Sequence, residues 1–343
     1  MVTALLTAVG LALLHSLWLG TLLYLGVRVV LPLLVAVPHR IALTSAALGL
    51  TALGFLLAIP LFYQLPSVCD GVVDYVFGAF PPLAGGPTSP GSFIATLAPA
   101  SAPYLTLLYV GMLPLAFLRL YRTHRRNRLL RQRGLAPVPA AWQAAFAPAD
   151  RPVDCYLSDY AGEVMTLGLR RPVVLFPRQL AAELSPAEAS TIYLHETAHL
   201  RHGDHLANYG QQLLGSLLYF HPVVRALGRL IERERELRCD DYVVAQTDDR
   251  RTYAVALVAV ARHQHSPANA LALSATRSDF SDRVRRLFGA AEPPPAKRYV
   301  FAPLFAALLL FGLSVSPHLS PPIADCPGTE LPTFSYLPPD VPL

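Results

Sequence analysis

Charged residues are scarce in this sequence. They make up 15% of its 343 residues, against about 25% in a typical soluble domain, while 53% are hydrophobic. This balance excludes intrinsic disorder, which requires low hydrophobicity and high charge. Four cysteines are also too few to hold together a secreted disulfide module of this length. The shortage of charge instead predicts membrane-spanning segments.

Basic residues are absent from two long stretches of the chain. Neither 41–118 nor 299–343 contains Lys or Arg, and all 28 basic residues lie in 1–40 or 119–298. A nucleic-acid binder would interleave its basic residues with a polar or aromatic face, so no nucleic-acid partner is expected. Segregation of basic charge by segment is typical of membrane topology.

Four stretches come close to the length of about 20 mostly apolar residues that crosses a bilayer. They are 3–27, 41–64, 103–121 and 299–316. Because Arg-rich loops stay on the cytoplasmic side, the charges predict that both termini lie outside. We therefore predict an α-helical integral protein of the inner (cytoplasmic) membrane with four spans and the lipid bilayer as its surroundings.

The same charges divide the chain into regions. The predicted regions are a membrane region over 1–121 with an outer loop at 65–102, a cytoplasmic domain over 122–298, the fourth span at 299–316 and a short Pro-rich outer tail at 317–343. The outer loop and tail together carry five acidic residues and no basic ones, so the remainder has a net charge of 28 − 18 = +10. Cys69 and Cys326 fall in the two outer segments, and either a disulfide or two free thiols fits the sequence.

The cytoplasmic segment contains a helix with a metal-binding pattern. Ser185 and Glu188 form a capping box at its predicted start. His195 and His199 stand one helical turn apart, so their imidazoles can share one Zn²⁺. Glu196 lies beside the metal in this arrangement, where it can take a proton from the zinc-bound water and pass it to the leaving amine.

A catalytic zinc needs a third protein ligand, and two residues compete for that role. His205 has the spacing of the HExxHxxGxxH pattern, but that pattern needs Gly where this chain has His202, with Gly203 next. We therefore expect that the helix does not break to bring His205 round. Glu236 and Asp240 stand at i and i+4 on a later helix, so one can bind the metal while the other fixes the tautomer of a ligand histidine. Glu236 is the predicted ligand.

Three further features of the cytoplasmic segment lead to expectations. Residues 171–177 read as a short strand that could hold an extended peptide substrate by strand addition. The apolar stretch 206–220 is expected to be a buried helix or one lying against the membrane. His221, which follows it, is expected at a helix end without a catalytic role.

The motifs together resemble the membrane metallopeptidases of the BlaR/MecR type, which are β-lactam-responsive signal transducers, and their relatives. The motifs are Leu14-His15-Ser16-Leu17-Trp18, the 171–177 strand, His195-Glu196-Thr197-Ala198-His199 with Asp204, Phe220-His221-Pro222 and Glu236-Leu237-Arg238-Cys239-Asp240. The resemblance implies an inserted α+β protease domain of the gluzincin type, with a Zn²⁺ held by His195, His199 and Glu236 and with Glu196 as general acid/base. It also implies an antibiotic-response signalling role, a cytoplasmic substrate that is a transcriptional repressor or the protein itself, and a homodimer as one arrangement.

One feature departs from the antibiotic sensors of that group, which carry a penicillin-binding domain after the last span. Here 27 residues follow position 316 and contain no SxxK motif, so direct β-lactam sensing is not expected. Two alternatives remain open from the sequence. One is a membrane quality-control protease of the HtpX type, and the other is a non-enzymatic transducer that retains a metal site.

Overall fold

The computed structural model describes residues 2–64, 90–146, 153–264 and 277–289. The predicted fourth span, the outer tail, most of the outer loop, and both Cys69 and Cys326 lie outside the described residues. The described part of the chain is mostly helical.

Three helices among the described residues are long and apolar enough to cross a membrane. They are α1 (Val2–Val30), α2 (Val37–Gln64) and α3 (Pro90–Leu130), with the apolar stretches at Val2–Leu33, Val37–Tyr63 and Ala100–Leu130. The first three predicted spans coincide with these helices. The third helix runs past the predicted end at 121, so the Arg run that follows the span continues the same helix.

The three membrane helices pack at close approaches that small residues allow. A Cβ at Gly10 of α1 would collide with the backbone of Ala102 in α3, so this crossing requires glycine. Thr106 of α3 donates a hydrogen bond from its hydroxyl to the carbonyl of Leu6 at 2.6 Å. Hydrogen bonds of this kind join helices where apolar contact with lipid gives no driving force for association.

The domain after α3 contains a four-stranded sheet in the order β1-β2-β4-β3. The strands are β1 (Leu135–Pro137), β2 (Asp154–Ser158), β3 (Met165–Leu167) and β4 (Val173–Pro177), and short helices α4 (Ala140–Ala145) and α5 (Arg178–Ala181) accompany them. β4 confirms the predicted strand, but it is buried between β2, its parallel neighbour, and β3, its antiparallel neighbour. The expectation that this strand receives a substrate is therefore wrong, because both of its edges are already paired. β3 lies at the edge of the sheet.

Helix α6 (Pro186–Arg201) begins as predicted. The Ser185 side chain accepts a hydrogen bond from the amide of Glu188, and the Glu188 carboxylate accepts one from the amide of Ser185. The helix ends at Arg201, and Gly203 adopts a left-handed conformation with φ of 72° before α7 (Asp204–Leu217) begins. The expectation of an unbroken helix is wrong, because a glycine one position later than the pattern requires can still make the turn.

Helix α8 (Pro222–Thr247) connects two hydrophobic cores, and α9 (Arg250–Gln264) and α10 (Arg277–Leu287) follow it. The first core joins the sheet to α6, α9 and the end of α8, and contains Phe176, Ile192 and Tyr253. The second joins α1, α2 and α3 to the start of α8, and contains Phe55 and Leu227. The domain therefore packs directly against the membrane helices.

The structure confirms a helix in the apolar stretch and the position of His221 at a helix end. The hydroxyl of Tyr109 in α3 donates a hydrogen bond to the carbonyl of Leu217 at 3.1 Å, so α7 lies beside a candidate span. His221 is the N-cap of α8, where its side chain accepts a hydrogen bond from the amide of Val224.

Candidate metal centre

Three side chains from two helices converge at one point. His195 and His199 come from α6 and Glu236 comes from α8, and one donor atom of each lies within 4.8 Å of the others. The Nε2 atom of His195 lies 3.4 Å from Oε2 of Glu236, and the Nε2 atom of His199 lies 3.4 Å from Oε1 of Glu236. Two imidazole nitrogens therefore face one carboxylate.

These donors fit a zinc ion. Bonds of about 2.1 Å in a tetrahedral arrangement place neighbouring ligand atoms about 3.4 Å apart. Two imidazoles and one carboxylate are also a donor set that catalytic zinc sites use, with the fourth position left for water or substrate. The distances and the chemistry of the three side chains thus both fit zinc.

The first histidine is oriented by a buried tyrosine. The hydroxyl of Tyr253 lies 2.8 Å from Nδ1 of His195 and donates a hydrogen bond of 2.6 Å to Oδ1 of Asp240. Since the hydroxyl proton goes to Asp240, the Tyr253 oxygen accepts from Nδ1–H of His195, which leaves Nε2 with a free lone pair. Burial, together with Asp240, raises the pKa of Tyr253 well above its usual value, so the hydroxyl keeps its proton. Asp240 therefore reaches the histidine mainly through Tyr253.

The second histidine is oriented by Asp204 and Cys239. Nδ1 of His199 lies 2.9 Å from Oδ2 of Asp204 and 3.3 Å from Sγ of Cys239. These three donor atoms also lie within 4.8 Å of one another. However, Arg238 donates to Asp204 at 2.5 Å and Arg235 lies 3.6 Å from it, so two guanidinium groups already supply the positive charge there. This second group supports His199 rather than holding a cation of its own.

Arg283 of α10 joins the two carboxylates of α8. One guanidinium nitrogen lies 2.6 Å from Oε2 of Glu236, while the Nε and the other nitrogen donate to Asp240 at 2.9 and 2.7 Å. Burial alone would raise the pKa of Glu236, but Arg283 and the two histidines hold it well below its usual range. Glu236 is therefore an anion, the form that binds a metal.

Glu196 lies next to the cluster and is held by the edge strand. The hydroxyl of Thr166 in β3 donates a hydrogen bond of 2.8 Å to Oε2 of Glu196. Both side chains line an open cleft of about 470 Å³ that also contains the three candidate ligands. A peptide in this cleft would meet the carboxylate and the cluster together.

His205 lies in the cleft wall but outside the cluster. Its Nδ1 atom is buried and has no hydrogen-bond partner within the described ranges. The helix break at Gly203 therefore brings His205 to the cleft without adding it to the donor group, and the structure brings Glu236 there instead.

Sequence reasoning missed Tyr253, Arg283 and Thr166. Each comes from a different element, and none stands at a helical or strand spacing from the HExxH motif. Their places depend on how α9, α10 and β3 pack around α6. A tyrosine whose hydroxyl becomes buried must find a polar partner, but the sequence does not say which one.

Comparison with known proteins gives two matches. The family model described as BlaR1 peptidase M56 matches residues 103–288, more than half of the chain. The Regulatory protein BlaR1 of Bacillus licheniformis is 28% identical over 126 residues, which cover 36% of this chain and 21% of that relative. The matched stretch therefore represents about a fifth of the relative's length.

Proposed function

The chain belongs to the BlaR1 peptidase M56 family, and from this premise we propose that it is a membrane-embedded zinc endopeptidase that cleaves a cytoplasmic protein in transmembrane signalling. One observation carries the proposal. Each histidine Nε2 lies 3.4 Å from an oxygen of Glu236, and Glu196 lines the same cleft. The donor group supports metal binding, and the adjacent carboxylate supports catalysis.

The chain's own groups account for the proton movements of peptide hydrolysis. His195, His199 and Glu236 would hold the zinc, which supplies a bound water with a pKa near 7. Glu196 would take a proton from the attacking water as the oxygen of that water bonds to the carbonyl carbon, and would then give this proton to the amide nitrogen as the C–N bond breaks. Thr166 fixes Oε2 of Glu196 and leaves Oε1 free of that bond, so the carboxylate is already oriented before substrate binds.

The substrate is proposed to bind as an extended strand along β3. This strand is the edge of the sheet, and its residues Met165 and Thr166 line the cleft beside Glu196. An edge strand presents unpaired amides and carbonyls to an incoming peptide, with specificity left to alternate side chains.

Backbone methylation of a peptide substrate tests this binding mode. Methylating the amides that face β3 should raise KM by about 3- to 10-fold for each hydrogen bond lost. The matched control carries methyl groups on the intervening amides, which face away from a neighbouring strand. Equal effects from the two sets of peptides would contradict binding by strand addition.

The site is proposed to face the cytoplasm, with both chain termini outside. The Arg run at the end of α3 and Arg28 and Arg40 between α1 and α2 support this orientation through the positive-inside rule. A transcriptional repressor, or the protein itself, is the proposed substrate, because signalling across the membrane needs a product that can act in the cytoplasm.

Metal removal tests the proposed activity. The full chain in lipid nanodiscs should contain about one zinc ion per molecule and should cleave an unstructured protein such as casein. Stripping the zinc with a chelator should abolish cleavage, and returning Zn²⁺ should restore it, whereas Mg²⁺ should not. Cleavage that survives complete zinc removal would contradict the proposal, and bound zinc without any cleavage would favour a non-enzymatic transducer.

The same cleavage assay in sealed vesicles tests the orientation. Peptide added to inverted inner-membrane vesicles should be cleaved, whereas peptide added to right-side-out vesicles should stay intact until detergent opens them. The reverse pattern would place the site outside.

A further inference from the structure

The helix that carries Glu236 contacts the membrane helices through two polar interactions, each made by a fully buried side chain, Glu234 or His221. We propose that the seating of α8 on α1 and α2 sets the position of Glu236, so that a movement of the membrane helices changes zinc affinity and activity. Arg40, Glu234 and His221 are positioning residues in this scheme. The inference rests on the proposed function and concerns how that same site is regulated.

The first contact is an ion pair at the start of α2. A guanidinium nitrogen of Arg40 lies 3.1 Å from Oε2 of Glu234, which is fully buried and stands two residues before Glu236. Losing the attraction of Arg40 is unfavourable for Glu234, because its carboxylate is buried away from water. A shift of α2 that moves Arg40 is therefore expected to move Glu234, and α8 with it.

The second contact is made by His221 at the N-terminus of α8. Its Nδ1 accepts from the amide of Val224, so its Nε2–H donates to the carbonyl of Ser16 in α1 at 2.9 Å. The ring fits because position 20 is glycine: a Cβ there would lie 2.7 Å from Cε1 of His221. Both polar atoms of the fully buried ring are thus satisfied only while α8 is seated against α1.

The two contacts fix the direction of α8 as well as its place. They lie 13 residues apart in one unbroken helix, or about 20 Å at the rise of an α-helix. Glu236 is only about 3 Å further along the axis than Glu234. A displacement of the helix at Arg40 is therefore transmitted almost directly to the metal ligand.

The division of the two cores makes the site sensitive to such a displacement. The histidines come from α6, which belongs to the core built on the sheet, whereas the first half of α8 belongs to the core shared with the membrane helices. Glu236 lies where these two packing units meet. Because metal–ligand distances tolerate only about 0.2 Å, a small relative shift is enough to weaken the site.

A pair of glycine variants tests the seating without touching the site. Gly20→Ala places a methyl group against His221, whereas Gly26→Ala adds the same group on the same helix with nothing within 4 Å. Gly20→Ala should weaken zinc binding about fivefold or more and lower kcat, while Gly26→Ala should match the unmodified chain. Zinc affinity is measured by chelator competition on the full chain in nanodiscs, together with casein cleavage.

A charge-removal cycle supplies the second measurement. Arg40→Met should lose zinc affinity and activity because it removes the positive charge beside the buried Glu234 carboxylate, and the double variant with Glu234→Met should recover most of both. Recovery would show that the pair acts through seating and not through its charge.

Two results would overturn the inference. The first is that Gly20→Ala and Gly26→Ala have the same zinc affinity and kcat. The second is that the double variant has no higher zinc affinity or activity than Arg40→Met alone. The glycine pair decides the matter should Arg40→Met fail to fold. The unmodified chain is measured in the same assays to distinguish failure of this inference from failure of the proposed function. If the unmodified chain binds no zinc and cleaves nothing, the endopeptidase assignment is wrong.

Discussion

Replacing Glu236 with alanine is expected to remove the zinc, whereas replacing His205 with alanine is expected to leave it bound. Loss of one of three protein ligands should weaken zinc binding by at least about 100-fold, since loss of a supporting contact alone costs 10- to 100-fold. Glu236→Gln should also lose most of its affinity, because the anion that Arg283 stabilises is gone. Zinc per chain after dialysis, measured by elemental analysis, is the readout.

His205→Ala is the matched control for this experiment. His205 lines the same cleft and has the sequence spacing of an alternative third ligand, yet it lies outside the donor group. Loss of zinc from His205→Ala, together with retention of zinc by Glu236→Ala, would contradict the ligand assignment. That result would require a rearrangement of α7 on metal binding.

Local patterns were sufficient to predict the elements that carry the candidate site. The capping box at Ser185 defines the start of α6, and the i and i+4 spacing of the two histidines puts both rings on one face. The three apolar stretches that coincide with α1, α2 and α3 are long enough for composition alone to mark them. These features depend on residues within one or two helical turns, or on the average over a whole helix.

Contacts between distant parts of the chain could not be predicted from the sequence. The bond from His221 to Ser16 joins residues 205 positions apart, and no spacing rule relates them. Tyr253 and Arg283 likewise reach the site only through the packing of α9 and α10. The prediction that the helix would not break was also wrong. The HExxHxxGxxH pattern requires a glycine at position 202, whereas the backbone can make the turn with a glycine at position 203.

The second large effect is expected at Glu196. Glu196→Gln should keep its zinc and lose cleavage by a factor between about 10² and 10⁴ in kcat, the usual contribution of a general base. The amide has the size of the carboxylate and can still accept the hydrogen bond from Thr166, but it cannot take up a proton. Zinc content and casein cleavage are measured on the same preparation.

Glu188→Gln is the matched control, since it makes the same change on the same helix and glutamine also completes a capping box. It should match the unmodified chain in both measurements. Unreduced cleavage by Glu196→Gln would show that the proton moves by another route, and loss of zinc would place Glu196 among the ligands. Because Glu236→Ala is expected to remove the metal and Glu196→Gln only the chemistry, the two variants together distinguish an endopeptidase from a transducer that keeps zinc for structure alone.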